Sequence, residues 1–313
     1  MRKIFYVLFL VIALTSIAVV GCKDKETTAA KLNETAVTGS TTVLVDETVF
    51  PIVEDLAILF ENEYKRVKLK LVSKPENEIL KIIHENKGQI AIMSRSLDSS
   101  EISYFNNTKK VYPRITEFAV DAITFIGNKK AQDSTLTLNE VISIMKGEKT
   151  KGNKSLVFDN PNSSTVRELK KLAGVDTLPQ ENVFSVNSNK EVIKYVTEHE
   201  GAVGVLGVNW IFQPTEDLQP YLDKIQVLGV ENVKVKEKNR FIKPNQTNIA
   251  DGSYPVTRKL YLLNFQGSTG LGMGFASYIA GQQGQRIILK SGLIPSRFPT
   301  RKIELRSEIE KNK

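Results

Sequence analysis

Three consecutive hydroxyls, Ser163, Ser164 and Thr165, follow an Asp-Asn-Pro-Asn turn in the segment FDNPNSSTVREL, which runs from Phe158 to Leu169. An apolar run from Ser155 to Phe158 leads into the turn, and Val166, Leu169 and Leu172 then recur at helical spacing. The pattern brings hydroxyls and free backbone N–H groups together at a helix N-terminus, whose partial positive charge favours an anion. The same residues also read as a plain helix cap, because Thr165 and Glu168 fit the S/T-x-x-E capping box. The segment alone admits both readings.

Other chemistry is poorly supplied. A serine nucleophile needs a base, and His84 and His199, the two histidines of the chain, fall on polar faces of predicted helices with no nucleophile-elbow pattern near them. Two histidines and one cysteine make no metal-ligand spacing. There is no Walker loop and no dinucleotide fingerprint opening a helix. Trp210 and Tyr254 are expected to pack a core or a cleft edge. No catalytic residue, metal or cofactor is expected.

The elements that would position the hydroxyl turn alternate. Thr41 to Val45 reads as a strand, Pro51 to Tyr64 as a helix, Val67 to Val72 as a strand, Glu76 to His84 as a helix and Gln89 to Met93 as a strand. Ala119 to Ile126 is a strand before the helix Leu138 to Met145. The Ser155 strand, Thr165 helix, Val183 strand, Glu191 helix and the strand Ala202 to Gly207 follow. Such alternation predicts an α/β fold with parallel sheets. Leu218 to Ser253 reads as irregular, Tyr254 to Asn264 as a long strand, and Met273 to Lys290 as one helix stopped by Ser291-Gly292 and Pro295. No repeat of solenoid length is present.

The N-terminus carries a different message. MRK precedes the apolar run FYVLFLVIALTSIAVV, which ends at Gly21-Cys22, the layout of an export signal with a small-residue cleavage site. The run is short for a membrane span, and Val19-Val20-Gly21-Cys22 resembles a bacterial lipobox. Residues 1–21 are therefore expected to be a lipoprotein signal peptide, with lipid attached to Cys22, the one cysteine of the chain. With no second cysteine there is no internal disulfide, so the core must carry stability. Residues 22–40 read as a flexible polar tether reaching about 20 Å, and residues 302–313 as a charged tail. The net charge of +8 is spread among interspersed acids and lysines rather than gathered in a stripe, so no nucleic-acid partner is expected.

Several segments in order resemble the phosphate-binding-protein family of ABC transporter solute-binding lipoproteins, in particular a branch found in Bacteroidota-type bacteria. They are DETVFPIVEDLAILFE, IAIMSRSL, EFAVDAITFIGN with LNEVISIMKGE, FDNPNSSTVREL, GAVGVLGVNWI, YPVTRKLYLLNF and FASYIAGQQGQRIILKSGLIP. The resemblance runs from about Thr41 to Pro299. It implies a two-lobed periplasmic-binding-protein fold of type II with the ligand cleft between the lobes. Lobe 1 would hold residues 41–117 and 254–301, and lobe 2 residues 118–253. It also implies a ligand set. Thr48 keeps the hydroxyl of the family's first loop, here Asp46-Glu47-Thr48. Ser73 keeps that of the second, here Ser73-Lys74-Pro75-Glu76, without the usual glycines. Ser94 and Arg95 match a Ser-Arg pair, Arg95 offering a fork to an oxyanion or else a surface ion pair. Ser163, Ser164 and Thr165 match a Ser-Gly-Thr triplet, and Asp121 matches a cleft-side acid able to accept a proton from a protonated oxyanion, or else a satisfied strand-end acid.

The implied function is capture of phosphate or another small oxyanion for ABC-type uptake. A permease and the membrane, held through Cys22, would be the partners. Lys23 is not an acidic inner-membrane retention signal, which leaves inner and outer membrane open. The charge balance opposes the simplest version: Asp159 stands where many relatives have arginine, and Asp46 and Glu47 are acidic where the family is neutral. Either these acids point away from the pocket, or the ligand carries positive charge as well. The competing reading is a degenerate binding fold acting as an envelope sensor or scaffold, and a zwitterionic solute is a further alternative.

Overall fold

The structure is a computed structural model that describes residues 34–150, 152–232 and 241–300. The expected signal peptide, Cys22, most of the tether and the charged tail lie outside the described residues.

The sheet is built around one long strand. β1 (Gly39–Asp46) runs parallel to β2 (Val67–Lys74) over its whole length and to β3 (Ile90–Met93) on its other side. β4 (Arg114–Asn128) is 15 residues long, and Ala119 to Ile126 forms only its centre. Further along come β5 (Thr135–Leu136), β6 (Ser155–Phe158), β7 (Val183–Ser185), β8 (Ala202–Gly207), β9 (Ile225–Val227), β10 (Gly229–Glu231), β11 (Phe241–Ile242), β12 (Thr257–Asn264) and β13 (Ile294–Pro295). The main path is β2-β1-β3-β12-β4-β8-β6-β7. The first part of β4 pairs antiparallel with β12, and its second part with β8 and β9.

Each side of β4 repeats one arrangement. β1 lies between its parallel neighbours β2 and β3, and β6 lies between its parallel neighbours β7 and β8. The chain leaves β1 and β6 into helices at the carboxyl ends of strands whose neighbours depart to opposite sides. That is the switch-point position where open α/β sheets bind ligands. β4 and β12 run along the join of the two halves, so the expected lobe boundary at Glu117/Phe118 falls inside β4.

Burial follows from periodicity. The helix Phe50–Glu63 turns Ile52, Val53, Leu56, Ala57 and Phe60 inward. Phe60 meets Tyr64, Phe275 and Tyr278 with ring centroids 5.0–5.3 Å apart. In the other half Ile126, Val157, Val192, Val196, Leu206 and Trp210 form one cluster.

Three expectations change. The helix expected from Met273 to Lys290 is two, Leu271–Ala280 and Gln282–Lys290, because Gly281 takes an extended conformation (φ −79°, ψ 172°) between them. The end of the tether is tied down: Glu34 accepts bonds from Leu271 N and Gln266, and a Cβ on Gly274 would lie 1.7 Å from the Ala36 carbonyl oxygen. The stretch read as irregular holds short elements, among them β10, which joins β11 and β5 in a three-stranded sheet. Among the described residues no helix is long and apolar enough to cross a membrane.

Candidate functional site

The site grows from a cross-strand pair. Arg258 on β12 lies opposite Asp121 on β4 in the antiparallel register, so their side chains share one face. Arg258 donates from Nε (2.9 Å) and Nη2 (2.7 Å) to Asp121 Oδ2, and Asp121 Oδ1 accepts from Val208 N. The guanidinium then reaches both switch points, donating from Nη1 to Ser164 Oγ at 2.8 Å and from Nη2 to Thr48 Oγ1 at 3.0 Å. Thr48 Oγ1 and Ser164 Oγ stand 2.9 Å apart. All four residues are buried. Burial works against the charge on Arg258, but Asp121 and Asp46 reverse this and raise its pKa.

Local sequence explains how the hydroxyls arrive. Asp46 ends β1 and caps the 3₁₀ turn Glu47–Val49, its Oδ1 accepting from Thr48 N (3.1 Å) and Thr48 Oγ1 (3.0 Å). After β6 the chain turns through Asn160, and the helix Ser164–Ala173 starts with Ser163 as N-cap. Ser163 makes no capping bond with its side chain; its Oγ meets Thr165 Oγ1 at 3.0 Å. The Thr165/Glu168 capping box does not form, because the helix and its N-cap begin two residues earlier and Glu168 pairs with Arg167 Nη1 at 2.6 Å.

An acidic group adjoins these hydroxyls. Asp159 is wholly buried; it accepts from Thr165 Oγ1 and from Asn189 Nδ2, each at 3.4 Å. Glu47 comes from the opposite half and accepts from Asn189 N at 3.0 Å. Burial, then the nearby charges of Glu47 and Asp46, push Asp159 up to about 7. Burial and the same crowding raise Glu47. These acids lie close together where the loops after β1 and β6 meet.

Beside them, Glu76 at the start of the helix Glu76–His84 holds Arg167 of the other half: Arg167 donates from Nε to Oε1 at 2.5 Å and from Nη2 to Oε2 at 3.2 Å. Ser94 Oγ accepts from Arg167 Nη2 and donates to Glu76 Oε2. Burial, then Asp46, raise Glu76. Trp210 Nε1 donates to the Thr48 carbonyl and Gln213 to Asp55, so the halves are also joined at the rim.

Of the residues expected at the site, Thr48, Ser164 and Asp121 are brought together, Ser163 and Thr165 adjoin them, and Ser94 sits at the Arg167–Glu76 pair. Two are placed elsewhere. Ser73 is exposed on β2, and Arg95 gives its fork to Glu101 and its Nη1 also to the Ser96 carbonyl. Asp121 is Arg258's counter-ion within a strand rather than a strand-end acid. His84 packs against Tyr104 and Phe105, and His199 stacks on Tyr195. Among the described residues no group of three His, Cys, Asp or Glu is placed to hold a metal. Reading the sequence missed Arg258, Arg167, Glu76 and Asn189. For Arg258 a signal existed: it falls in phase with Val256, Leu260 and Leu262, the buried parity of β12.

Two α/β halves that share strands β4 and β12, with polar groups gathered between them, define a two-lobed fold of the periplasmic-binding kind. A profile of the PBP superfamily domain matches residues 30–283, so the chain belongs to the PBP superfamily, in agreement with the phosphate-binding-protein resemblance of its motifs. The phosphate-binding protein PstS of Pseudomonas aeruginosa is 22% identical over 271 residues, covering 77% of this chain and 79% of the relative. A phosphate ABC transporter substrate-binding protein of Clostridium perfringens, solved with bound phosphate, superposes with a TM-score of 0.67 at 19% identity, over 83% of this chain and all of that one. An ABC-type phosphate transport receptor of Vibrio cholerae gives 0.58 at 18% identity, over 82% and 99%. At these identities the two structures establish the shared fold.

Proposed function

We propose that the chain is a non-catalytic solute-binding protein that captures an oxyanion, phosphate by default, between its lobes and presents it to an ABC-type permease. It would work in the periplasm, held to a membrane by lipid on Cys22. One observation carries the reading: the buried guanidinium of Arg258 meets a hydroxyl from each half, Thr48 and Ser164, at the switch points of both. A planar cation with flanking hydroxyls is the donor set that oxyanions require. Arg258 stands on a strand at the join while Thr48 and Ser164 belong to opposite halves, so hinge closure would complete the donor set around the ligand. Asp121 fixes the orientation of the fork.

The relatives named above are described as phosphate-binding or phosphate-transport proteins, which supports the default ligand and the permease. The scaffold reading draws on a different observation: Thr48 and Ser164 already bond each other, and Arg167–Glu76 ties the halves without help. Calorimetric titration of the full chain in detergent with phosphate, sulfate and an amino-acid mixture separates the two. Phosphate binding that is lost in Arg258→Met supports capture; no heat with any solute, with envelope proteins co-purifying, supports the scaffold. Radiolabelled fatty acid incorporated into the wild type and not into Cys22→Ala tests the anchor.

A further inference from the structure

The acids of the cleft lack donors. Asp46 Oδ1 is used by Thr48, but Asp46 Oδ2 has no partner although the residue is wholly buried. Asp159 receives long bonds, 3.4 Å each, from Thr165 and Asn189, with Ser163 beside it. Asn189 is independent of these carboxylates in kind and equally buried; its amide lies against Asp159, its backbone N–H goes to Glu47, and its Oδ1 accepts nothing. Buried acceptors left unpaired are costly, and natural sites satisfy them. The cation in reach, Arg258, is committed to Asp121 on two of its bonds. An inorganic oxyanion supplies at most its own few protons to such a group and adds like charge beside it.

We propose that Asp46, Glu47, Asp159 and Asn189 form a subsite for a primary ammonium, so that the solute carries an oxyanion at one end and an ammonium at the other. This rests on the oxyanion reading and specifies its ligand. An ammonium has three donors and no acceptor, which matches the unpaired Asp46 and Asn189 oxygens and the underused Asp159 carboxylate. Two 3.0 Å hydrogen bonds through Thr48 Oγ1 join Asp46 Oδ1 to Arg258 Nη2, so the edge of the acidic group lies within about 6 Å of the guanidinium. That suits an ammonium a few bonds from a phosphoryl or carboxylate group. The crowding that lifts Asp159 and Glu47 is what a bound cation would relieve.

The test is calorimetric titration of the full chain in detergent at pH 7.5 with four probes: phosphate, ethyl phosphate, O-phosphoethanolamine and β-alanine. O-Phosphoethanolamine binding about tenfold or more tighter than ethyl phosphate, the range of a hydrogen bond to a charged group, supports the ammonium subsite with a phosphoryl partner. β-Alanine binding tightest supports the subsite with a carboxylate partner. Asp159→Asn, and separately Glu47→Gln, should bring ethyl phosphate and O-phosphoethanolamine to within about threefold of each other, thermal melting confirming that each variant folds. Equal affinity of those two ligands in the wild type overturns the ammonium subsite and leaves oxyanion capture standing. Binding of none of the four overturns both.

Discussion

Arg258→Met should be the most disruptive single substitution at the cleft, and the structure sets its size. Removing the guanidinium leaves Asp121 fully buried with backbone N–H donors from Val208 and Ala122 but no counter-charge, and leaves Thr48 and Ser164 bonded to each other and to Asp46. Breaking one side of a buried ion pair costs roughly 3–5 kcal/mol. In a chain of this size each kcal/mol lowers Tm by about 2 °C, so the melting point should fall by roughly 5–10 °C. Asp121→Asn should cost a similar amount, because Arg258 then keeps only the more distant Asp46. The two losses should not add. If the residues act as one unit, Arg258→Met with Asp121→Asn should be about as stable as either single variant, a coupling of about 3–5 kcal/mol, the cost of one substitution. Urea titration of the three variants and the wild type measures the cycle. Singles that lose less than about 1 kcal/mol, or losses that sum, would refute the claim that this pair organises the join of the halves.

Three further outcomes follow from the same geometry. Asp159 titrates at about 7 when folded against an ordinary 3.8, so the folded state holds its proton more tightly and stability falls as pH rises from about 4 to 7. Asp159→Asn should therefore be more stabilising over wild type at pH 8 than at pH 5, by about 2–3 kcal/mol at about 1.4 kcal/mol per pH unit between 5 and 7; an equal gain at both pH values contradicts the assignment. Arg167→Met strips the buried Glu76 of its cation and should cost about 3 kcal/mol at pH 8, and less as the pH falls, because burial and Asp46 already favour the protonated carboxyl; a pH-independent loss in urea titrations would count against it. Gly207 admits Thr48 because it lacks a side chain: a Cβ there would sit 2.8 Å from the Thr48 carbonyl oxygen and 2.7 Å from Asn209 Oδ1. Gly207→Ala should hold the lobes apart, raising the radius of gyration in small-angle scattering and weakening ligand binding about tenfold, as overpacking of 1–3 kcal/mol implies; no change in either measurement argues against contact across the cleft.

Local signals carried much of the fold. The helices Glu76–His84 and Leu138–Met145 and the strand β8 begin and end where the residue pattern places them, because their apolar periodicity and their boundaries are written in neighbouring residues. The capping box Thr137/Glu140 is of this kind. What was not legible depends on distant residues. The break at Gly281 interrupts an otherwise continuous helical pattern, and glycine alone does not announce it. The length of β4 comes from having β12 along one part and β8 and β9 along the other, a pairing no local window contains. Arg95 matches the family's Ser-Arg pair, but Glu101, six residues on, captures its fork. Arg258, in a strand with no loop signature, holds that place through register with Asp121.

Thr48 and Ser164 could be singled out because each sits between a strand end and a helix start, yet their meeting is a property of topology. β1 and β6 occupy equivalent places in the two halves, so the loops after them face each other across β4 and β12. That convergence is indifferent to what else the loops carry. In this chain it also brings Asp46 and Glu47 from one loop and Asp159 from the other into one buried group, alongside the single fork of Arg258. The fold therefore places the proposed oxyanion site beside an excess of carboxylate acceptors. A ligand with negative charge alone would satisfy the first and aggravate the second. The acids thus bear on specificity through the balance of charge, and the preference between ethyl phosphate and O-phosphoethanolamine reads that balance directly.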